Sequence, residues 1–475
     1  MRTNYSRTWS RRNSRRLNAL LALTLTSGCA WAADEAAPAA KEEEEPGKPD
    51  AVAEEPPADF RNWATFSVGG TFVDGSDAAF QQRTGLPKGA FGGVSDFHYE
   101  QDVATNTVFK VDGRGIFDEH DYSIRLDLTK QELGFVRAGF SEFRTYYNGA
   151  GGYFPGNGQW FNLYDDEMAV DRSDAWFEAG LRKPGLPEVT LRYSHQTREG
   201  RKDSTSWGDT TQTGGAGARS IVPSFWDLDE VRDIISADAR HTFGKTDVGL
   251  GLRYESSRNN DSRYERRFPG EAGDAYITDK EGIDSGIFNV HAFTESRLSS
   301  KALLTVGYAF TDLDSDLSGY RVYGIQYDPD QAQRLPSANT FQDLTGGSEL
   351  QQHVANINFM YTLQDALFLV PSVRIEKQDV SSVSGFESPA GVIAPAYGVS
   401  SDRGLLDVSE GLELRYSGVT NWVFYARGEW LQGSGDLDEN QNNLTTATPV
   451  LFRSTDDTRM SQKYSVGANC IPSAP

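Results

Sequence analysis

With only two cysteines in 475 residues, the chain has no disulfide framework. No Cys-x-x-Cys-His occurs, so it attaches no c-type haem of its own. No apolar run approaches the roughly 20 residues a membrane-spanning helix needs. Basic charge is scarce: 46 Lys and Arg stand against 68 Asp and Glu, a net charge of −22. Such a chain offers no footprint for nucleic acid. The histidines, His98, His120, His195, His241, His291 and His353, stand singly without metal-ligand spacing. Neither a Gly-x-Ser-x-Gly elbow nor a phosphate loop is present. The expectation is a protein that is not an enzyme and holds no cofactor.

What the chain has in plenty is aromatic: 9 Trp, 20 Tyr and 26 Phe, against a mean hydropathy of −0.54. Aromatics without long apolar runs suit strands that face lipid on one side and water on the other. Asn421–Gly433 carries this pattern most clearly. Trp422, Phe424, Ala426, Gly428 and Trp430 alternate with Tyr425, Arg427 and Glu429, which is the period of a strand with one apolar and one polar face. A tryptophan near each end of the apolar face matches the aromatic girdles of membrane barrels.

The alternation recurs at Ala64–Phe72, Phe109–Phe117 and Tyr122–Leu128. It then settles into hairpins: 174–183 with 187–197, 232–243 with 246–256, 285–296 with 302–312, 350–362 with 366–376, and 404–416 with 421–431. A last strand begins near 458. About fifteen strands of about ten residues, with short turns on one side and long acidic loops on the other, predict an all-β, transmembrane antiparallel up-and-down β-barrel. A propeller needs four strands per repeat, and each repeat here supplies two. Residues 73–105 read as a loop, which leaves the later long loops on the wrong side of the sheet unless 134–146 pairs differently or a strand hides in 145–173.

The ends divide from this body. Six arginines precede the short apolar run Leu17–Thr26, and Ala30-Trp31-Ala32 follows, so 1–32 reads as a signal peptide. Its removal takes the net charge to −28 and leaves Cys470 alone. Residues 33–59, with ten acids, five prolines and no aromatic, read as a disordered acidic periplasmic tether. The barrel is expected over 60–475, in the outer membrane of a Gram-negative bacterium, with outer-membrane lipid and lipopolysaccharide as its surroundings. Arg459–Asn469 starts as a strand but gives way to Cys470–Pro475 without a terminal aromatic. That ending carries the expectation of a truncated barrel, incomplete at its C-terminus.

The polar faces nominate a wet inner wall: Lys110, Asp112, Arg114, Arg125, Asp127, Arg182, Arg192, Arg240, Arg253, Glu255, Arg374, Glu376, Arg427 and Glu429. Charges of both signs suit a channel, a docking surface, or a plug of mutually satisfied pairs. Asp312, Asp314 and Asp316 place oxygens on alternate residues, as in part of a calcium loop. The glycine, however, falls at the eighth place and Tyr323 at the twelfth. The plainer reading is an acidic, solvated outside loop, as for Asp436, Asp438, Glu439 and Asn440.

Two stretches, Gly69–Glu100 and Gly134–Pro155, resemble the amino-terminal region of the sheath barrels of porin–cytochrome complexes, the MtrB/PioB family. In both, a strand leads to a Gly-Asp-rich segment with Phe and Arg, and a later Gly-Arg-Phe/Tyr strand leads to Tyr and then Pro. The amino-terminal cysteine pair of some members is absent, and members are longer. The resemblance implies a barrel that surrounds a periplasmic multihaem c-type cytochrome and lets electrons cross the outer membrane, with no haem ligands on the barrel itself. Beside that sheath stand two other jobs the residues leave open: a general diffusion porin for small solutes, and a structural or adhesive surface barrel.

Overall fold

The computed structural model describes residues 61–148, 167–211, 218–268, 272–337, 339–387 and 396–470. The expected signal peptide and tether lie outside them, as do the last five residues and the part of the Gly134–Pro155 motif beyond Asn148.

The described chain is one antiparallel sheet of 16 strands joined in sequence order. They are β1 (Trp63–Thr71), β2 (Gly89–Ala104), β3 (Thr107–Phe117), β4 (Asp121–Lys130), β5 (Gly134–Tyr147), β6 (Met168–Leu181), β7 (Glu188–Thr211) and β8 (Ala218–Phe243). Then come β9 (Thr246–Arg267), β10 (Ala275–Arg297), β11 (Ala302–Gly324), β12 (Phe341–Gln364), β13 (Leu367–Glu387), β14 (Tyr397–Val419), β15 (Trp422–Asn443) and β16 (Thr448–Cys470). The all-β, up-and-down class read from the sequence is the one observed, with the strand faces of a transmembrane barrel. β1 and β16 are the two edges of the sheet.

Two expectations are corrected. Residues 73–105 are not a loop: they hold a short helix, α1 (Asp77–Thr84), and all of β2. That extra strand restores parity, so the strand ends that border 72–88, 148–167, 268–274, 325–340 and 388–396 lie on one side and turns such as 244–245 and 365–366 on the other. The later strands are also about twice the expected length, 21 residues in β13 and 26 in β8. Much of what read as acidic loop is therefore strand, including Asp436–Asn440 in β15.

The sheet has two levels. In the turn-proximal halves one face is apolar and open, with Leu191 54%, Ile235 56%, Leu252 41% and Phe424 40% exposed. At about 3.3 Å per residue, the eight steps from Trp422 to Trp430 cover about 26 Å, near the height of a lipid-facing band. Trp430 Nε1 donates to the Tyr464 hydroxyl at 3.1 Å on this face, tying β15 to β16 at the girdle.

The distal halves carry the buried packing. Met168, Phe225 and Tyr264 form one cluster, with Tyr147 and Tyr327 against it. Ala275, Ile277 and Tyr323 form another, with Leu335. The segment after β11 is held here: the Asp328 N–H donates to Thr278 Oγ1 at 2.9 Å, and the Tyr264 hydroxyl donates to Asp328 at 3.0 Å. Helix α1 starts where Ser76 Oγ accepts from the Ala79 N–H, and ends where Gly85 takes φ of 70°. Its Gln81 is buried and donates to Glu167 at 2.7 Å.

Candidate functional site

The candidate site is the polar face at the level of the apolar band. Strand alternation builds it, because each apolar residue turned one way sends its neighbour the other. Ile124, Leu126 and Leu128 lie exposed on one face of β4, so Arg125 and Asp127 share the opposite one.

Register then sets the partners. Arg137 lies opposite Asp127, Glu178 opposite Arg137, and Arg192 opposite Glu178. The result is a ladder of alternating sign across four strands. Arg125 reaches Asp127 at 3.7 Å, Arg137 Nε reaches Asp127 at 2.6 Å, Arg137 Nη1 reaches Glu178 at 3.6 Å, and Arg192 reaches Glu178 at 3.3 Å. Part-exposed pairs of this kind add about 0–1 kcal/mol each to stability. Their stronger consequence is that they hold long side chains along the wall and cancel its charge locally.

The same arrangement continues around the sheet. Lys110 meets Glu100 at 2.8 Å, Asp112 meets His98 at 2.6 Å, and Arg114 meets Asp121 at 2.6 Å. Glu255 is gripped by Arg232 at 2.5 Å and Arg253 at 2.9 Å. Arg240 meets Asp247 at 3.1 Å, Arg374 meets Glu376 at 2.9 Å, and Arg427 meets Glu429 at 2.7 Å, with Lys463 also near Glu429. Arg182 differs: it follows the end of β6, and its guanidinium lies over the Phe135 ring.

Bulky rings on this face lie flat. Trp176 of β6 covers Gly139 of β5, and a Cβ on that glycine would come within 2.6 Å of the indole. Only glycine leaves this room.

The face also has recesses. One, of about 450 Å³, is lined by Phe143, Arg172, Asp174, Gln196, Arg198, Glu230, Arg232 and Glu255 among others. A second, of about 440 Å³, is lined by Asn356, Asn358, Arg374, Arg427, Glu429 and Lys463 among others.

The calcium-loop expectation is corrected. Asp312, Asp314 and Asp316 lie within β11, on one face of an extended strand, not in a loop. Same-face neighbours there are about 7 Å apart, too far to converge on an ion with ligands at about 2.4 Å. Among the described residues, the one group close enough is His120, Glu142 and Asp171. It was missed in the sequence because its members come from a turn and two strands. Arg144 already donates to both Asp171 oxygens at 2.7 Å, and His120 Nδ1 lies 3.4 Å from Glu142, so these groups are already engaged within the protein.

Sequence reading found one member of most pairs and missed several partners, notably Arg137, Glu178 and Arg232. Their partners are set by cross-strand register, which no local spacing encodes.

No family model matches this chain, and no curated protein matches it. Among solved structures, it is similar to the ferric-catecholate import receptor Fiu of E. coli in its open form. That match has a TM-score of 0.32 and 11% identity, over 80% of this chain and 79% of that one. It is similar to FpvA of P. aeruginosa bound to heterologous pyoverdines, with a TM-score of 0.32 and 9% identity, over 80% and 63%. It is also similar to the outer membrane protease OmpT of Escherichia coli, with a TM-score of 0.22 and 11% identity, over 52% and 86%. At these values the likeness carries no argument, and the reading of the chain rests on its own side chains.

Proposed function

We propose that the chain is a Gram-negative outer-membrane β-barrel protein, not an enzyme, whose ion-paired face lines a polar conduit through the membrane. One observation carries this: along the same strand segments, open apolar side chains on one face are backed by paired Arg, Lys, Asp and Glu on the other. A soluble protein would bury the apolar face, and a sheet with lipid on both faces would not carry the charges. Lipid and lipopolysaccharide contact the apolar face, and water fills the space beside the charged one.

The sheath is the same conduit with a guest. The charges of the wall satisfy one another and the Trp176 ring lies flat on it, which leaves the space open to a solute stream or to a multihaem cytochrome. The resemblance to the MtrB/PioB family favours the cytochrome.

The test is conductance of the full chain, refolded without partners, in a planar bilayer. Stable ion-selective steps support the conduit. Silence from a folded, heat-modifiable protein removes the open pore. Recovery of a haem protein on that folded chain from a periplasmic extract then supports the sheath, and recovery of none counts against it.

A further inference from the structure

We propose that His120, Glu142 and Asp171 hold a divalent cation of the zinc type, which clamps the β3–β4 turn to β5 and β6. The proposal does not rest on the conduit reading, which concerns the opposite face of the sheet.

Three separate pieces of chain bring the group together. Residues directly opposed in an antiparallel pair share a face. Glu142 of β5 lies opposite Tyr122 of β4, two residues from Ile124, and Asp171 of β6 lies opposite Arg144 of β5. Both acids thus share the face of Ile124, Leu126 and Leu128, just past the distal end of the apolar band. His120 ends the β3–β4 turn at φ of 50°, a conformation that histidine takes more readily than most residues. Its ring meets that of Tyr122 edge-on at 6.2 Å. Its Nδ1 reaches across β5 to within 4.0 Å of Asp171 Oδ2.

The spacing suits a metal better than a hydrogen bond. His120 Nδ1 lies 3.4 Å from Glu142 Oε1, beyond the roughly 2.7–3.2 Å of an ordinary N–H···O bond. Two ligands at about 2.1 Å on a tetrahedral ion stand about 3.4 Å apart. All three ligand atoms lie within 4.8 Å of one another, so small side-chain rotations complete the set, with water in the fourth place.

Charge agrees with geometry. Glu142, Asp171 and Glu167, the last 3.9 Å from Arg144, supply three negative charges against the single guanidinium of Arg144. With His120 neutral the group carries a charge of −2, which a divalent cation cancels. Arg144 does not displace the ion. It donates to each Asp171 oxygen at 2.7 Å, and each oxygen keeps a second lone pair. Carboxylates that bind metals are themselves held by hydrogen bonds in this way. An imidazole beside two carboxylates selects zinc or a neighbouring first-row ion over calcium or magnesium, which take oxygen alone.

The experiment is calorimetric titration of the full chain with zinc chloride, after refolding in detergent, chelator stripping and a heat-modifiability check. One zinc per chain is expected, and calcium in excess should not displace it. His120→Gln, Glu142→Gln and Asp171→Asn should each weaken binding by about tenfold or more. His195→Gln, at a β7 histidine paired with Asp233, should leave binding unchanged. Cobalt(II) in place of zinc should show the strong visible absorption of a four-coordinate ion, a readout on the unaltered chain that no folding defect in a variant can mimic. No zinc on the folded chain, zinc held equally by all three variants, or zinc displaced by calcium overturns the proposal. So does a loss in His195→Gln as large as that in His120→Gln, or cobalt bound with the weak absorption of a six-coordinate ion. A chain that conducts but binds no zinc overturns the clamp and leaves the conduit standing, whereas a silent chain that binds zinc does the reverse.

Discussion

Arg321 Nη2 donates to Glu265 Oε1 at 2.9 Å, from β11 across β10 to β9, with the Glu265 side chain almost wholly sealed from water. The second oxygen, Oε2, has no hydrogen-bond partner among the described residues. Asp279 lies beside them, 3.6 Å from Arg321 Nε and paired with Arg263 at 3.0 Å. This network sits in the distal half of the strands, beyond the apolar band. Burial there pushes the Glu265 carboxyl above its ordinary pKa of 4.5, against the pull of Arg321.

A raised carboxyl pKa means the folded state holds the proton more tightly than the unfolded one. Stability from Glu265 is then fullest below pH 4.5 and is lost as pH rises through the raised value. We expect β9–β11 to open more readily at pH 8 than at pH 5, read by hydrogen exchange corrected for intrinsic chemistry. Glu265→Gln, which keeps the shape and cannot ionise, should flatten that slope. An unchanged slope in the variant would remove Glu265 as its source.

The band predicts a depth-dependent penalty. Leu252 lies between Leu250 and Tyr254 on the open face of β9. Leu252→Arg should destabilise the protein in lipid vesicles by about 2–4 kcal/mol, as for a cation near the bilayer midplane. Asn260→Arg, on the same face of the same strand above the band, should change little. Urea titration in vesicles separates the two, and equal effects would deny the band its lipid contact.

The ladder predicts selectivity. Removing Arg137 leaves Asp127 and Glu178 on the polar face, the wall of the proposed conduit, with less compensation. Arg137→Ala should shift the reversal potential in a salt gradient toward cation selectivity, and Glu178→Gln should shift it the other way. Stability should move by about 1 kcal/mol or less, since such pairs are wet. Matching reversal potentials in the two variants would place the current elsewhere.

How much of this was legible in the sequence follows from how sharply each strand segment sets its two faces apart. Around Trp422–Trp430 or Leu250–Tyr254 one face is apolar and one wet, so the period of two is written in residue type. Farther along β15 and β11 the face that carries aromatic residues nearer the turns carries Asp instead, at Asp436 and Asp438 and at Asp312, Asp314 and Asp316, so Asp436–Asn440 and Asp312–Asp316 read as loops. β2 was hidden for a different reason. Register shifts between Thr65 and Phe66 and between Val94 and Phe97 break its alternation and swap its faces midway. The wall charges were legible one strand at a time. The pairing of Arg137 with Asp127 and Glu178 depends on register across three strands.

The flat packing of Trp176 on Gly139 makes the last expectation. A ring against a cross-strand glycine fills the gap that the missing side chain leaves and keeps the indole against the wall. Gly139→Ala puts a methyl where the indole now lies, within 2.6 Å, so the ring must swing off the strand, toward the proposed conduit. The backbone cost of the change is small, because alanine is tolerated in a strand. The expected result is a folded protein with lower single-channel conductance and a Trp176 more open to a water-soluble quencher. Adding Trp176→Ala to the same chain removes the obstruction and should restore the conductance. If Gly139→Ala alone conducts as well as the unaltered chain, the ring does not border the water path, and the polar face at β5–β6 is not the conduit's wall.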